Sequence, residues 1–402
     1  MAEKPRRHDD RAPTGDAGPG AEGLPRPARS TDSGGTGGSD KYQLYVSSSP
    51  SDREWDRFLA ATPGGNHLQS SLWGEVKSIL GWRVVRVIAT HDGRIRGGAQ
   101  ILLRGLPLVG SIGYVSCGPV LESDDAALRD LVLRGLHAVA REQRVLFLVV
   151  QPPLGQEAVI PDLAARGFRR SGSLVEPHPT ATVVMDLSKD EDTLLAAMKK
   201  ATRYNVRFAG RKGVSVRDGG ERDVPVFYRL LAMTSKRQGF AVPSEDYFRE
   251  MLRIMGPDGH ARIFLAEVAG EPLSAALVIA FGDVVSYKRG AWSGEHRHLH
   301  PNELLQWRVM RWAKQNGYRY YDLEGIDLAA VRPPHPAAGR PDGSKRNSVS
   351  VFKMGFGGDV VLSPGAYELI HNPVLRRGYH WLVPPLLRSA PGRWLVNTVR
   401  TR

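Results

Sequence analysis

Ile95 to Leu103 reads IRGGAQILL, and Leu273 to Phe281 reads LSAALVIAF. Each is an apolar run with small residues, entered from a turn signal: His91-Asp92-Gly93 before the first, Ala269-Gly270-Glu271 before the second. An apolar run also precedes each turn, VVRVIAT and ARIFLAEV, so both places read as hairpins. The two hairpins lie about 180 residues apart, a period that reads as a duplication.

The flanks repeat as well. Before the first hairpin come a strand, YQLYV, and helices over Ser51 to Ala61 and SLWGEVKSIL. After it come the strand SIGYVS, a helix from Asp124 to Glu142, the apolar strand RVLFLVVQP and a short helix in EAVIPDLAARGF. In the second half Thr180 to Leu187 reads as a strand, Asp190 to Met198 and Lys200 to Gly213 as helices, and VSVRD as a strand. Helices over Glu221 to Arg237 and Ser244 to Met255 lead into the second hairpin. VVSYKRGAW, a helix from Asn302 to Asn316 and YRYYDL follow it. The repeated order of strand, two helices, hairpin, strand, helix and strand predicts an α/β chain with two tandem N-acyltransferase-like (GNAT-like) domains, each on a mixed sheet.

The expected divisions are a tail at 1–41, domains at 42–178 and 179–362, and a C-terminal tail at 363–402. Met1 to Asp40 is rich in Gly, Pro, Ser and Asp and is expected to be disordered. Ala329 to Ser344 reads as a loop. Acyltransferases of this fold that use coenzyme A wrap its pyrophosphate with a glycine-rich turn before a helix. The corresponding turns, CGPVLESDD and SGEHRHLHPNE, lack that run of glycine amides, so coenzyme A is not the expected donor and no cofactor is expected.

The bulk chemistry narrows the partner. Among 402 residues, Lys and Arg number 55 against 42 acids, a formal charge of +13 that suits nucleic acid, an anionic membrane surface or phosphorylated substrates. Cys117 is the single cysteine, which excludes an intrachain disulfide and a multi-cysteine metal site and fits a reducing cytosol. The N-terminus lacks the apolar segment of a secretory signal, and no run of about 18 apolar residues suggests a spanning helix.

Several groups could carry chemistry. Lys199, Arg203, Arg207 and Arg211 recur every four residues, a cationic stripe on one helix that reads either as a solvated face or as a phosphate track. Lys77 follows Trp73 by one helical turn and could clamp an anion beside it. Asp322 and Glu324 end a strand at a glycine, where either could take a proton or act as a structural acceptor. His296, His298 and His300 alternate, but no acid–histidine spacing supports a metal site, and none is expected. In KRNSVSVFKMGFGG, Lys345 to Gly358, a lysine stands in an apolar, glycine-rimmed setting. Spacing alone favours a solvated Lys353 beside a core Phe352. The other reading is a cation at a developing oxyanion, with Gly355, Gly357 and Gly358 leaving room for a ligand.

Five segments together, QSSLWGEVK, the Gly-Pro-Val turn after YVS, KKATRYNVRFAGRKGV, YYDLEGI and VFKMGFGG, resemble the Fem family of aminoacyl-tRNA-dependent peptidyltransferases. The resemblance spans Tyr42 to about Val361, in the family's order. It implies two acyltransferase-like domains, and the span from Gly213 to Ala261 leaves no room for the long helical arm that some members carry. It implies transfer of an amino acid, glycine foremost, from aminoacyl-tRNA to the third-residue side-chain amine of the peptidoglycan stem peptide. The acceptor would be lipid II or its UDP-linked muropeptide precursor. Lys77, Tyr247, Tyr287 and Arg289 match acceptor contacts, and Phe352 and Lys353 match the pair at the transferring carbonyl. Pro243 stands where the family has an arginine, for which Arg237 could substitute, and Leu146 stands where it has a tyrosine.

The implied mechanism needs no metal or cofactor. Its partners are aminoacyl-tRNA, held by the basic stripe, and lipid II or the nucleotide precursor, with Asp322 or Glu324 as proton acceptor. A cytoplasmic monomer is expected, with Val374 to Arg393 as a membrane-surface element or as packing on the first domain. Two rivals are an N-acyltransferase with another activated donor and a non-catalytic RNA-binding protein.

Overall fold

The computed structural model describes residues 41–106, 109–171, 179, 181–327 and 348–370. The expected N-terminal tail, the loop from Ala329 to Ser344 and the segment from Val374 to Arg393 lie outside the described residues.

The first sheet is built from β1 (Gln43–Ser47), β2 (Arg83–His91), β3 (Arg94–Leu106), β4 (Gly110–Ser116), β5 (Val120–Leu121), β6 (Val145–Gln151) and β7 (Arg169–Arg170). The second holds β8 (Ala181–Asp186), β9 (Val214–Gly219), β10 (Ala261–Val268), β11 (Glu271–Phe281), β12 (Val284–Trp292), β13 (Tyr320–Gly325) and β14 (Asp359–Leu362). The last strand among the described residues, β15 (Tyr367–Ile370), returns to the first sheet, between β6 and β7. The orders are β1-β2-β3-β4-β6-β15-β7, with β5 on β3, and β14-β8-β13-β12-β11-β10-β9.

The duplication is visible in these orders. Each hairpin turns through two residues in the left-handed region, Asp92 and Gly93 at φ 51° and 73°, Ala269 and Gly270 at 50° and 82°. That conformation matches the twist of the flanking strands, which is why both turns end in glycine. Each sheet then has one parallel pair, β4 with β6 and β12 with β13. A parallel pair needs a crossover. Helices α3 (Ala126–Glu142) and α9 (Pro301–Gln315) supply it in the two halves. The expected mixed α/β architecture of two acyltransferase-like sheets is therefore present.

The remaining helices are α1 (Arg53–Ala61), α2 (Ser71–Ser78), α4 (Val159–Ala165), α5 (Glu191–Ala197), α6 (Lys200–Arg211), α7 (Val224–Gln238), α8 (Glu245–Met255) and α10 (Ser348–Lys353). The helix expected from Glu221 starts later, as a 3-10 turn at Glu221–Asp223 leading into α7, because Pro225 suits only a first helical turn. The only α-helices between Gly213 and Ala261 are α7 and α8, so no long arm is present there. No helix among the described residues is long and apolar enough to cross a membrane.

The two halves share a core. Leu68, Trp73, Val76 and Cys117 of the first pack with Phe227, Phe248, Leu277 and Ile279 of the second. Trp55 and Val120 likewise meet Phe281.

The start of α2 is fixed by buried polar groups. Gln69 Nε2 donates to the carbonyls of Ser116 (2.7 Å) and Gln100 (3.2 Å), and Gln100 Nε2 donates to the Ser70 carbonyl (2.7 Å). Ser70 Oγ caps the helix by accepting from the Trp73 amide. Satisfied networks of this kind fix position, and this one fixes Trp73 and Lys77 against the second sheet.

Candidate active site

β12 and β13 are paired only from Val284 to Ser286 against Tyr320 to Asp322. Beyond that the strands part, and a cavity of about 920 Å³ opens between their C-terminal ends. Tyr287, Lys288 and Arg289 line it from β12, Glu324 and Gly325 from β13, and Phe352 and Lys353 from α10.

α10 reverses the inside and outside expected from spacing. Ser350 and Lys353, one turn apart, are 1% and 8% exposed, whereas the apolar Val351 is 40% exposed. The Lys353 ammonium therefore points inward, donating to the Gly325 carbonyl at 2.7 Å. Burial lowers its affinity for a proton, opposed by the negative charges of Glu324 and Asp322. An ammonium has three donors, and among the described residues this bond uses one of them. Phe352 is half-buried beside it, edge-on to Phe356 with ring centres 5.0 Å apart.

The glycines after Lys353 do not make room for a ligand. A Cβ on Gly357 would lie 2.7 Å from the Ala197 carbonyl oxygen, and one on Gly358 would lie 2.5 Å from that of Val184. Both residues hold φ near +80°. One on Gly355 would meet Thr202 Oγ1 at 2.5 Å. The chain's own backbone, with the Thr202 side chain at Gly355, fills the space, seating the Lys353 segment on α5, α6 and β8.

The two carboxylates occupy different layers. β13 slips register against β8 between Asp322 and Gly325, and Glu324 there has φ 55°. Asp322 Oδ1 accepts from the Glu324 amide (2.6 Å) and from Thr182 Oγ1, so this carboxylate pins the distortion from behind. Burial raises its pKa to about 6, against the Thr182 hydrogen bond and with help from the charge of Glu324. Glu324 is the one that faces the cavity.

A residue absent from the sequence reading completes the centre. β12 slips against β11 so that Tyr287 faces Val278 and Arg289 faces Leu277, leaving Lys288 as the extra residue of a bulge. Bulges re-aim side chains. Lys288 Nζ pairs with Glu324 at 3.0 Å and stands 5.1 Å over the Trp73 ring. Lys77 Nζ stands over the same ring, also at 5.1 Å. Burial, with the nearby charges of Lys288 and Arg289, brings the Lys77 ammonium down to about 8. The available signal was three long polar side chains in a row, Tyr287-Lys288-Arg289, breaking the alternation of a strand.

The other expected acceptor residues surround this cation group. Tyr247 is buried in the shared core with Trp73, and burial pushes its phenol up to about 12 against the pull of Arg289. Burial also raises the Tyr287 phenol, and its hydroxyl fills the space that a side chain at Gly290 would need. Arg289 is exposed at the cavity rim and donates to the Lys288 carbonyl at 3.1 Å. Arg237 lines the cavity too, but its guanidinium is committed to the carbonyls of Trp292 (2.7 Å) and Ser293 (2.8 Å). It acts as a clamp on the chain after β12.

The basic stripe is not in the cavity. The side chains of Lys199, Arg207 and Arg211 lie on the exposed side of α6, while Asn205 of the same helix lines the cavity. Arg203 departs from the expected unpaired stripe: Nη1 donates to the carbonyls of Leu195, Ala196 and Met198 at 3.3, 3.0 and 3.3 Å, satisfying the end of α5. Of the alternating histidines, His300 lines the cavity and approaches Glu303 at 3.3 Å, whereas the rings of His296 and His298 face each other 5.9 Å apart.

A family model described as FemAB matches residues 50–271 and 269–382. A lipid II:glycine glycyltransferase of Staphylococcus aureus (strain MRSA252) is 25% identical over 351 residues, covering 68% of this chain and 83% of the relative. One of the same name from Staphylococcus saprophyticus is 24% identical over 347 residues, covering 69% and 83%. Among solved structures, that of FemX superposes with a TM-score of 0.72 at 23% identity, covering 82% of this chain and 98% of its own. The family model runs through both sheets and both halves of the cavity, and the chain belongs to the FemAB family.

Proposed function

We propose that the protein is an aminoacyltransferase that moves glycine from aminoacyl-tRNA to the third-residue side-chain amine of the peptidoglycan stem peptide. The acceptor is carried by lipid II or its nucleotide-linked precursor. The observation that carries this reading is the inward Lys353 ammonium at the meeting of two unlike regions. One is the β12 side of the cavity, where Lys288 and Arg289, with Lys77 over the same Trp73 ring as Lys288, suit an acceptor's phosphates; the other is the rest of that cavity, suited to a donor ester. The first turn of α9 faces that cavity with Pro301, which has no N–H, and Glu303, which is negative. Both disfavour a bound diphosphate and favour an ester donor over coenzyme A.

In the reaction the acceptor nitrogen attacks the ester carbonyl carbon. The C–N bond forms, the acyl–oxygen bond breaks, and the ribose hydroxyl leaves with a proton. Lys353 donates to the oxyanion of the tetrahedral intermediate, a contribution of ~3 kcal/mol if it behaves as a single oxyanion donor. The proton lost by the amine passes to the Asp322–Glu324 pair, with Glu324 nearer the cavity, and from there to the departing ribose oxygen. The donor is already activated, so no protein nucleophile is required.

Transfer of labelled glycine from charged tRNA to lipid II tests the reading. Incorporation that depends on the native enzyme and disappears when the donor is pretreated with ribonuclease is expected. Incorporation that survives the pretreatment would overturn the tRNA donor.

A further inference from the structure

The exposed side of α6 is aromatic as well as basic. Tyr204 is 56% exposed, and its ring stacks on Phe208 one turn later, with centres 5.7 Å apart and planes 25° apart. Phe208 meets His300 edge-on at 6.0 Å, and His300 lines the cavity. Three rings thus lead from the outer face of the helix to the cavity wall. Lys212 Nζ lies 5.6 Å from the Phe208 ring, and Lys200, Arg207 and Arg211 are exposed nearby. The chain has no acid between Asp192 and Asp218, and Arg207 and Arg211 have no carboxylate partner among the described residues. One carboxylate does face the inner end of the ladder: Glu303, which accepts from Asn205 Nδ2 at 3.0 Å and approaches His300.

A stacked pair one turn apart could serve helix stability alone. Such a role does not call for Tyr204 to stay more than half exposed inside a cluster of cations. Exposed aromatic faces flanked by lysine and arginine are how single strands are held without reading their sequence, since every base has a π face and every linkage a phosphate. We infer that Tyr204 is a stacking platform for an unpaired base of an RNA strand lying along α6. Arg207 and Arg211 bind its phosphates, and Phe208 and His300 lead towards the cavity. The inference rests on the RNA-linked donor proposed above and names the surface that takes it.

Anisotropy of a labelled single-stranded RNA of about ten nucleotides, titrated with the full chain, tests it. Tyr204→Ala should weaken binding ~10-fold, the value of one lost base stack, while Tyr204→Phe, which keeps the ring, should bind like the native chain. Arg207→Ala and Arg211→Ala should each lower the slope of log affinity against log salt by about one, and Tyr204→Ala should leave that slope unchanged. If native protein binds the RNA but Tyr204→Ala binds within twofold of it, the platform is wrong and the RNA donor stands. If native protein shows no salt-dependent RNA binding, the donor reading fails with it. Loss of binding to anionic lipid vesicles with RNA affinity intact would assign the face to a membrane and overturn the proposal.

Discussion

The Lys353 ammonium donates to the backbone carbonyl of Gly325 at 2.7 Å, tying the short α10 to the distorted end of β13. This bond uses one of three donors of an ammonium that also lines the cavity, so kinetics and stability report different parts of its role. Lys353→Met should lower kcat ~100- to 1000-fold, as loss of one oxyanion donor does, and leave acceptor KM within about threefold. Its melting temperature should move by only a few degrees, because relief of a desolvated charge offsets loss of the bond to Gly325 and of the attraction to Glu324 and Asp322. Steady-state kinetics and a thermal melt on the same sample check both parts.

Asp322 gives a pH signature. Its pKa is raised from an ordinary 3.8 to about 6, so the folded state holds this proton more tightly than the unfolded chain does. The stability it lends is present below about pH 4 and is lost as pH rises through about 6. Asp322→Asn escapes that loss. Its stability advantage over the native chain should grow between pH 4 and pH 8 by on the order of 2 kcal/mol, read from urea midpoints. An advantage that shrinks over this range would refute the assignment.

Lys77 titrates near 8, and only its protonated form attracts an anion. Affinity for sulfate, whose own charge does not change over this range, should be level below about pH 7 and fall by up to about tenfold per unit above pH 8. Lys77→Met should bind more weakly throughout and lose that inflection. Calorimetric titrations at several pH values separate the two curves.

The Lys288–Glu324 pair has both side chains about nine-tenths buried. Breaking it from one side leaves a buried charge poorly compensated. Lys288→Met should therefore cost ~2–4 kcal/mol, and Lys288→Met with Glu324→Gln should recover at least half of that. A double-mutant cycle by urea unfolding measures the coupling.

Gly358 has both a left-handed φ of 80° and the Val184 carbonyl where a side chain would start. Gly358→Ala should cost at least ~2 kcal/mol, and the amides that pair β14 with β8 should exchange faster than those of β11 with β12. Gly270→Ala meets nothing within 4 Å and should cost less, the difference being the steric part.

The architecture was legible because it rests on local chemistry. Two left-handed hairpin turns, two crossover helices and the periodicity between them are written in contiguous residues such as Asp92-Gly93 and Ala269-Gly270. The site was legible in its residue types more than in its directions. Lys353 could be singled out, but its inward aim depends on a carbonyl of Gly325 on another strand. Lys288 was missed because a bulge is a property of two strands in register, and the partner of β12 is not visible from β12. The need for small residues at Gly355, Gly357 and Gly358 was evident. That the chain itself, and not substrate, approaches them requires knowing where Thr202, Ala197 and Val184 come to lie. Arg203 looked like its neighbours in the stripe until the end of α5 supplied three carbonyls to it.

The crossing of β15 into the first sheet has a consequence for synthesis. Among the described residues β7 joins that sheet through β15 alone, so β15, which follows every other described strand, must be made before β7 has a partner. While the ribosome is still translating the second half, the outer edge of β6 is bare and β7 is waiting. The N-terminal half is thus finished last. A chain cut after Leu362 would keep every residue that lines the cavity and still leave its first-made sheet with an unpaired, aggregation-prone edge.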